Sequence, residues 1–285
     1  MQEKINYHNF CAKGVSFDNF HLETNKGIQI HIVKFTPAQK TSLPPIVLLP
    51  GMASVIENFK DTIIALTENH VVYFLETREK GSSIILGKAG FSIPEIASDL
   101  PVAIEMLGLE AKSYILAGYS LGASVITSAF KNLLAKPLAV VLIEPSASFK
   151  WPWWLPHLAR VAVPIYGLIK PFLKWHMKTF KINKEEDYEM FIINSRIIDQ
   201  ADPRKLAATV LSVRHFEAWE YLEHIDSPCL VIGVSHDKFH SHDEALRVSE
   251  CITNCSYIDV LNNKRSHSSE VATLIDGFVG SLGMS

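Results

Sequence analysis

Ser120 is the residue whose neighbours best equip it for nucleophilic chemistry. It is the centre of Gly118-Tyr119-Ser120-Leu121-Gly122, between the apolar run 114–117 and a helical pattern over 121–134. A Gly-x-Ser-x-Gly between strand and helix marks a strained turn that lifts the serine hydroxyl above a sheet edge. Such a turn brings the positions two before and two after the serine against neighbouring backbone. Only very small side chains fit there, which accounts for Gly118 and Gly122. A serine hydroxyl is a poor nucleophile until a base removes its proton, and the base must be oriented by a third group. The spacing therefore predicts an acid and a histidine downstream, each just past a strand. Asp237 follows the strand-like run 227–234, and His267 follows the run 256–261. Glu144 closes the apolar run 139–143 and is the alternative acid. Asp259 lies within a strand pattern and reads as structural.

The elements that must position these residues are legible as alternating short apolar runs and helical patterns. Runs 17–24 and 28–35 flank Asn25-Lys26-Gly27 as an antiparallel hairpin. Buried-strand runs follow at 46–49, 71–75, 114–117, 139–143, 230–234 and 257–261. Helical patterns occupy 55–68, 94–107, 121–134, 244–251 and 270–282. Short apolar runs separated by helices are what a parallel sheet covered on both faces requires.

With nucleophile, acid and histidine in the order Ser120, Asp237, His267, the chain resembles the α/β-hydrolase superfamily over nearly its whole length. The resemblance implies an α/β fold: an eight-stranded, mostly parallel sheet with flanking helices and a helical cap inserted after the sixth strand. The core would comprise 1–145 and 226–285, and the cap 146–225. Leu48-Leu49-Pro50-Gly51-Met52 occupies the place of the family's His-Gly turn, with Pro50 where histidine is usual. The resemblance implies an oxyanion hole made by the amides of Met52 and Leu121. The loop Glu76-Thr77-Arg78-Glu79-Lys80-Gly81-Ser82-Ser83 is similar to the family's Asp-x-Arg-Gly-x-Gly-x-Ser loop, with Glu76 for Asp and Glu79 for the first Gly. In that setting Arg78 braces neighbouring turns.

A serine at the elbow implies acyl chemistry through an acyl-enzyme, with no cofactor and no metal. The first expectation is hydrolysis of a carboxylic ester with an aliphatic or lipid-like acyl group. Thioesters, lactones, C–C bonds and proline iminopeptidase-like peptide cleavage are alternatives on the same fold. A non-catalytic receptor or binding protein is the alternative of another class.

The segment between the sixth and seventh strands is apolar and basic. From Ser146 to Lys184 it contains seven Lys or Arg and no Asp or Glu. Trp151, Trp153, Trp154 and Phe172 fit the roof of an acyl pocket, and the prolines at 152, 156, 164 and 171 predict a lid of short helices. A basic, Trp-rich face of this kind also fits peripheral contact with an anionic membrane. The prolines and the punctuating cations argue against a membrane span.

The run His236-Asp237-Lys238-Phe239-His240-Ser241-His242-Asp243 matches no zinc spacing and reads as the approach to a helix. At 285 residues and 48% apolar content the chain can bury one large core. A net charge of −3 gives no electrostatic footprint for nucleic acid. The four cysteines form no disulfide framework and the N-terminus has no apolar signal segment, which together predict a cytoplasmic setting. Composition and spacing say nothing of oligomeric state.

Overall fold

A computed structural model describes residues 5–149, 154–180, 188–236 and 242–283. Strands β1 (Ser16–Asn25) and β2 (Ile28–Thr36) form the expected hairpin, with an irregular register between Glu23 and Asn25. They are followed by β3 (Ile46–Leu49), β4 (Val72–Glu76), the two-residue β5 (Ile84–Ile85) and β6 (Ile115–Tyr119). The last three are β7 (Ala139–Ile143), β8 (Cys229–Gly233) and β9 (Cys255–Asp259). The sheet order is β1-β2-β4-β3-β6-β7-β8-β9, with β5 added to β2. β2 runs antiparallel to β1, β4 and β5, and every other pair is parallel.

Strand side chains alternate between the two faces. Val47 and Leu49 join one buried cluster with α2 (Ile93–Ala97), α3 (Asp99–Met106), α4 (Leu121–Ala129) and α9 (His242–Glu250). Ile46 and Leu48 join the other, with α1 (Lys60–Leu66) and α11 (Ser269–Ser281). Both faces of the central sheet are therefore buried, which is why β3, β6, β7 and β8 read as continuous apolar runs.

Between β7 and β8 lie α5 (Leu155–Phe180), α6 (Tyr188–Gln200), α7 (Pro203–Val213) and α8 (Trp219–Leu222). The expectation of short helices is corrected at α5, which continues through Pro164 and Pro171. Each proline removes one backbone donor, but the 3.6-residue pattern runs on through both and the helix continues with it. Tyr166 OH donates to the Ile198 carbonyl (2.9 Å), and Lys174 pairs with Asp199 (2.5 Å), joining α5 to α6. Among the described residues no helix is long and apolar enough to cross a membrane. The short α10 (Asn263–Ser266) leads into His267.

Candidate active site

Ser120, Glu144 and His267 lie at the C-terminal edge of the parallel strands. Ser120 is the first residue past β6, with φ +47° and ψ −108°. Its N–H donates to the Ile143 carbonyl at 2.9 Å, pinning the turn to the end of β7. A Cβ at Gly118 would stand 2.7 Å from the Gly122 carbonyl carbon, and a Cβ at Gly122 would stand 2.4 Å from the Leu49 carbonyl oxygen. Glycine is thus required at both positions, as the spacing predicts.

Strain is concentrated at this edge. Among the described residues, five non-glycine positions have positive φ, and four of them follow strands here: Ala53, Ser120, Glu144 and Leu261. Backbone strain of this kind persists only where the surroundings over-determine it, and functional sites are where it collects.

His267 is placed by α10, whose start is capped by Asn262 Oδ1 accepting the Arg265 N–H (3.1 Å). Its ring lies against Tyr119 (centroids 4.9 Å apart) and Phe59 (5.4 Å). Tyr119 OH donates to the Ser266 carbonyl at 3.0 Å. The residue before Ser120 is therefore tied to the residue before His267. His267 Nδ1 lies 3.0 Å from Ser266 Oγ and 3.1 Å from the Asn263 carbonyl. A carbonyl only accepts, so Nδ1 is the donor in that contact.

Glu144 is buried, stands in the residue after β7, and accepts the Ser266 hydroxyl at 2.5 Å. With its proton committed to Glu144, Ser266 Oγ can accept from Nδ1–H. The alternative acid thus approaches the imidazole through a hydroxyl, and Ser266 is a site residue that sequence reasoning missed. Asp237, the first-choice acid, lies outside the described residues. The chain leading to it is held beside the exit of β9, where Ser235 N–H donates to Asp259 Oδ1 (3.0 Å) and His236 N–H to the Leu261 carbonyl (2.8 Å). The Asp259 carboxyl is occupied by backbone N–H groups at the exit of β9. Burial pushes its carboxyl up, but the bonds from Leu261 N–H and Ser235 outweigh it and hold it below the usual range.

The Gly51–Met52 peptide borders Ser120, since a Cβ at Gly51 would stand 3.5 Å from Ser120 Cβ. Among the described residues, neither the Met52 nor the Leu121 N–H donates a hydrogen bond. The Gly51 carbonyl is satisfied twice, by Lys80 Nζ (2.5 Å) and Ser54 Oγ (2.6 Å). Arg78 braces turns as expected. It makes two bonds to Asp99 (2.7 and 2.8 Å) and one to the Gly90 carbonyl, and Asp99 also accepts from Thr24 and Asn25. Lys205 on α7 donates to the carbonyls of Lys80 (2.8 Å) and Ser83 (2.6 Å), fastening the inserted helices to this loop. Burial lowers the Lys205 pKa below the ordinary lysine value.

Of the expected pocket aromatics, Trp151 and Trp153 lie outside the described residues. Trp154 is 48% exposed and Phe172 is 58% exposed. Phe172 packs on Trp175 at 5.8 Å between centroids. Exposure on this scale fits a surface better than a roof.

No protein-family model matches the chain, and no curated protein matches it in sequence. Solved structures do match. An esterase from Thermogutta terrifontis superposes with a TM-score of 0.71 at 18% identity, over 93% of this chain and 98% of that one. A bromoperoxidase from Bacillus anthracis gives 0.71 at 18% identity over 92% and 100%. An enol-lactonase from Burkholderia xenovorans LB400 gives 0.69 at 17% identity over 92% and 97%.

Proposed function

From the α/β-hydrolase fold of this chain as premise, we propose that the protein is a serine hydrolase of carboxylic esters with an aliphatic or lipid-like acyl group. The observation that carries this reading is the backbone of Ser120, held at φ +47° between two glycines no other residue can replace, with the His267 ring packed on the adjacent Tyr119. Ser120 Oγ attacks the ester carbonyl while His267 Nε2 takes its proton. The Met52 and Leu121 N–H groups donate to the oxyanion that forms. His267 then protonates the departing alkoxide, and water attacks the acyl-enzyme with His267 as base again. Asp237 orients and stabilises the imidazolium. Glu144 is the alternative for that role, reaching Nδ1 through Ser266.

The segment 146–225 is assigned as the cap, a reading supported by Lys205 of α7, which fastens its described helices to the loop after β4. The four cysteines are all free thiols, which supports a reducing, cytoplasmic setting. Thioester and lactone hydrolysis remain the nearest other reactions, because they use the same oxyanion geometry.

A second reading concerns the partner surface, and α5 favours it. Val161, Ile165, Leu168, Phe172 and Trp175 follow one another at four- and three-residue spacing, all exposed, with Leu168 at 82%. They form one apolar stripe along a helix that carries Arg160, Lys170, Lys174 and Lys178 and no acidic residue. That charge pattern complements an anionic lipid surface, on which the stripe would lie.

The first test is labelling with a fluorophosphonate probe. Wild type should be labelled and Ser120→Ala should not, with both folded by circular dichroism. Equal labelling of the two proteins would remove Ser120 from the reaction.

A further inference from the structure

We propose that Lys80 is the positioning residue of the oxyanion hole, acting through the Gly51–Met52 peptide. This rests on the hydrolase reading and extends it to a residue outside the triad. Lys80 is only 6% exposed, yet it carries an ammonium. Burying an ammonium is costly unless its donors are matched. Here they are aimed at one turn: at the Gly51 carbonyl (2.5 Å), the Ser54 carbonyl (3.3 Å) and Ser54 Oγ (3.2 Å). Glu79, also buried, supplies the counter-charge at 3.4 Å. Ser54 Oγ adds a second donor to the same Gly51 carbonyl.

The consequence follows from peptide geometry. The described peptide bonds are all trans, and in a trans peptide the C=O and the following N–H point in opposite directions. Two donors clamping the Gly51 carbonyl on one side therefore aim the Met52 N–H to the other. A cation on the carbonyl oxygen also draws electron density from the amide nitrogen, because hydrogen bonds in a chain polarise one another. The Met52 N–H becomes a stronger donor, and it is aimed before any substrate arrives. Preorganised donors of this kind need no rearrangement as charge develops.

The test uses Lys80→Met, which keeps the length of the side chain and removes its charge, and the milder Ser54→Ala. Three readouts are compared with wild type: hydrolysis of p-nitrophenyl butyrate, inhibition by an aliphatic trifluoromethyl ketone, and the Met52 amide resonance in protein labelled with 15N-methionine. The resonance is assigned by its loss in Met52→Leu. Deleting an oxyanion donor outright lowers kcat by about 10²–10³. Weakening one from behind should lower kcat by roughly 10- to 100-fold with KM nearly unchanged, and should weaken the ketone, whose adduct carries the oxyanion, by a similar factor. The Met52 proton should move upfield in Lys80→Met, and less so in Ser54→Ala. If Lys80→Met does not fold, Ser54→Ala must show the same three changes on a smaller scale. Folded Lys80→Met with wild-type kcat, ketone affinity and Met52 shift overturns the role of Lys80 while leaving the hydrolase reading intact. Wild type that neither hydrolyses esters nor takes a fluorophosphonate overturns both.

Discussion

A methyl group added at Gly122 would meet the Leu49 carbonyl oxygen at 2.4 Å, whereas Leu168 on α5 leaves 82% of its surface in solvent. The turn at 118–122 has its backbone fixed by β3 and β7 on either side. The helix α5 lies over the protein with its apolar stripe outward. At the turn, shape is the constraint, and almost any change is felt by folding or chemistry. On the helix, the surface chemistry is the constraint, and single changes are felt only by whatever the stripe touches.

The largest effects should come where geometry is tightest. Asp237→Asn should lower kcat by about 10²- to 10⁴-fold, because the amide stabilises the wrong imidazole tautomer. Glu144→Gln should cost much less, since Ser266 stands between that carboxylate and Nδ1. Steady-state kinetics on a soluble ester would rank the two, and the reverse order would move the acid to the end of β7. Gly122→Ala should destabilise the fold by about 1–3 kcal/mol, the usual penalty for an inserted methyl in a packed site. Chemical denaturation measures it, and an unchanged midpoint would show that the turn can relax.

Replacing Leu168, Phe172 and Trp175 together by Ser should leave the denaturation midpoint nearly unchanged, because exposed sites rarely contribute more than about 0.5 kcal/mol each. Binding to vesicles containing phosphatidylserine should fall at least tenfold, since each inserted side chain contributes about 1.5–3 kcal/mol. Kinetics on a soluble butyrate ester should stay at the wild-type level. A concentration-dependent dimer that disappears in the triple variant would assign the stripe to self-association instead.

The smallest expected effect is one of pH. Burial pushes the Glu76 carboxyl up, but its bond to His31, the nearby Ser82 and the charge on Lys80 outweigh it and hold it below the usual range. A depressed folded value stabilises the protein above the unfolded carboxylate pKa of about 4.3 and loses that contribution as the pH falls through the folded value. Thermal melts between pH 7 and pH 3 should therefore fall less steeply for Glu76→Gln than for wild type. Parallel curves would assign the acid loss to other carboxylates.

Much of this was readable from residue types. β3 and β7 begin and end where their apolar runs do, because a strand buried on both faces has no polar residue to blur its limits. The helical pattern over 94–107 is two helices meeting at Ser98, and that over 55–68 begins as a 3-10 turn at Ile56–Phe59. Apolar periodicity survives such breaks and so hides them. β5 was not legible, since two residues cannot display an alternation. At the candidate site, Ser120, His267 and the strand-end Glu144 were found by position. Lys80 and Ser266 were not. Lys80 is an ordinary polar residue in a loop and Ser266 closes the short α10, and what distinguishes each is a partner far away in the chain, Gly51 for one and Glu144 for the other.

The sheet order also has a consequence for synthesis. Six of the eight strands on the main path are complete once residue 143 has emerged, but β7 pairs on its outer side with β8, which begins at Cys229. At about 5–20 residues per second, the ribosome leaves the outer edge of β7 unpaired for several seconds. An apolar strand with an open edge is a template for wrong pairing. The first chain to emerge in that interval is the basic, aromatic segment that becomes α5, with α6 to α8 after it, so the inserted helices are in place to shield that edge before β8 arrives.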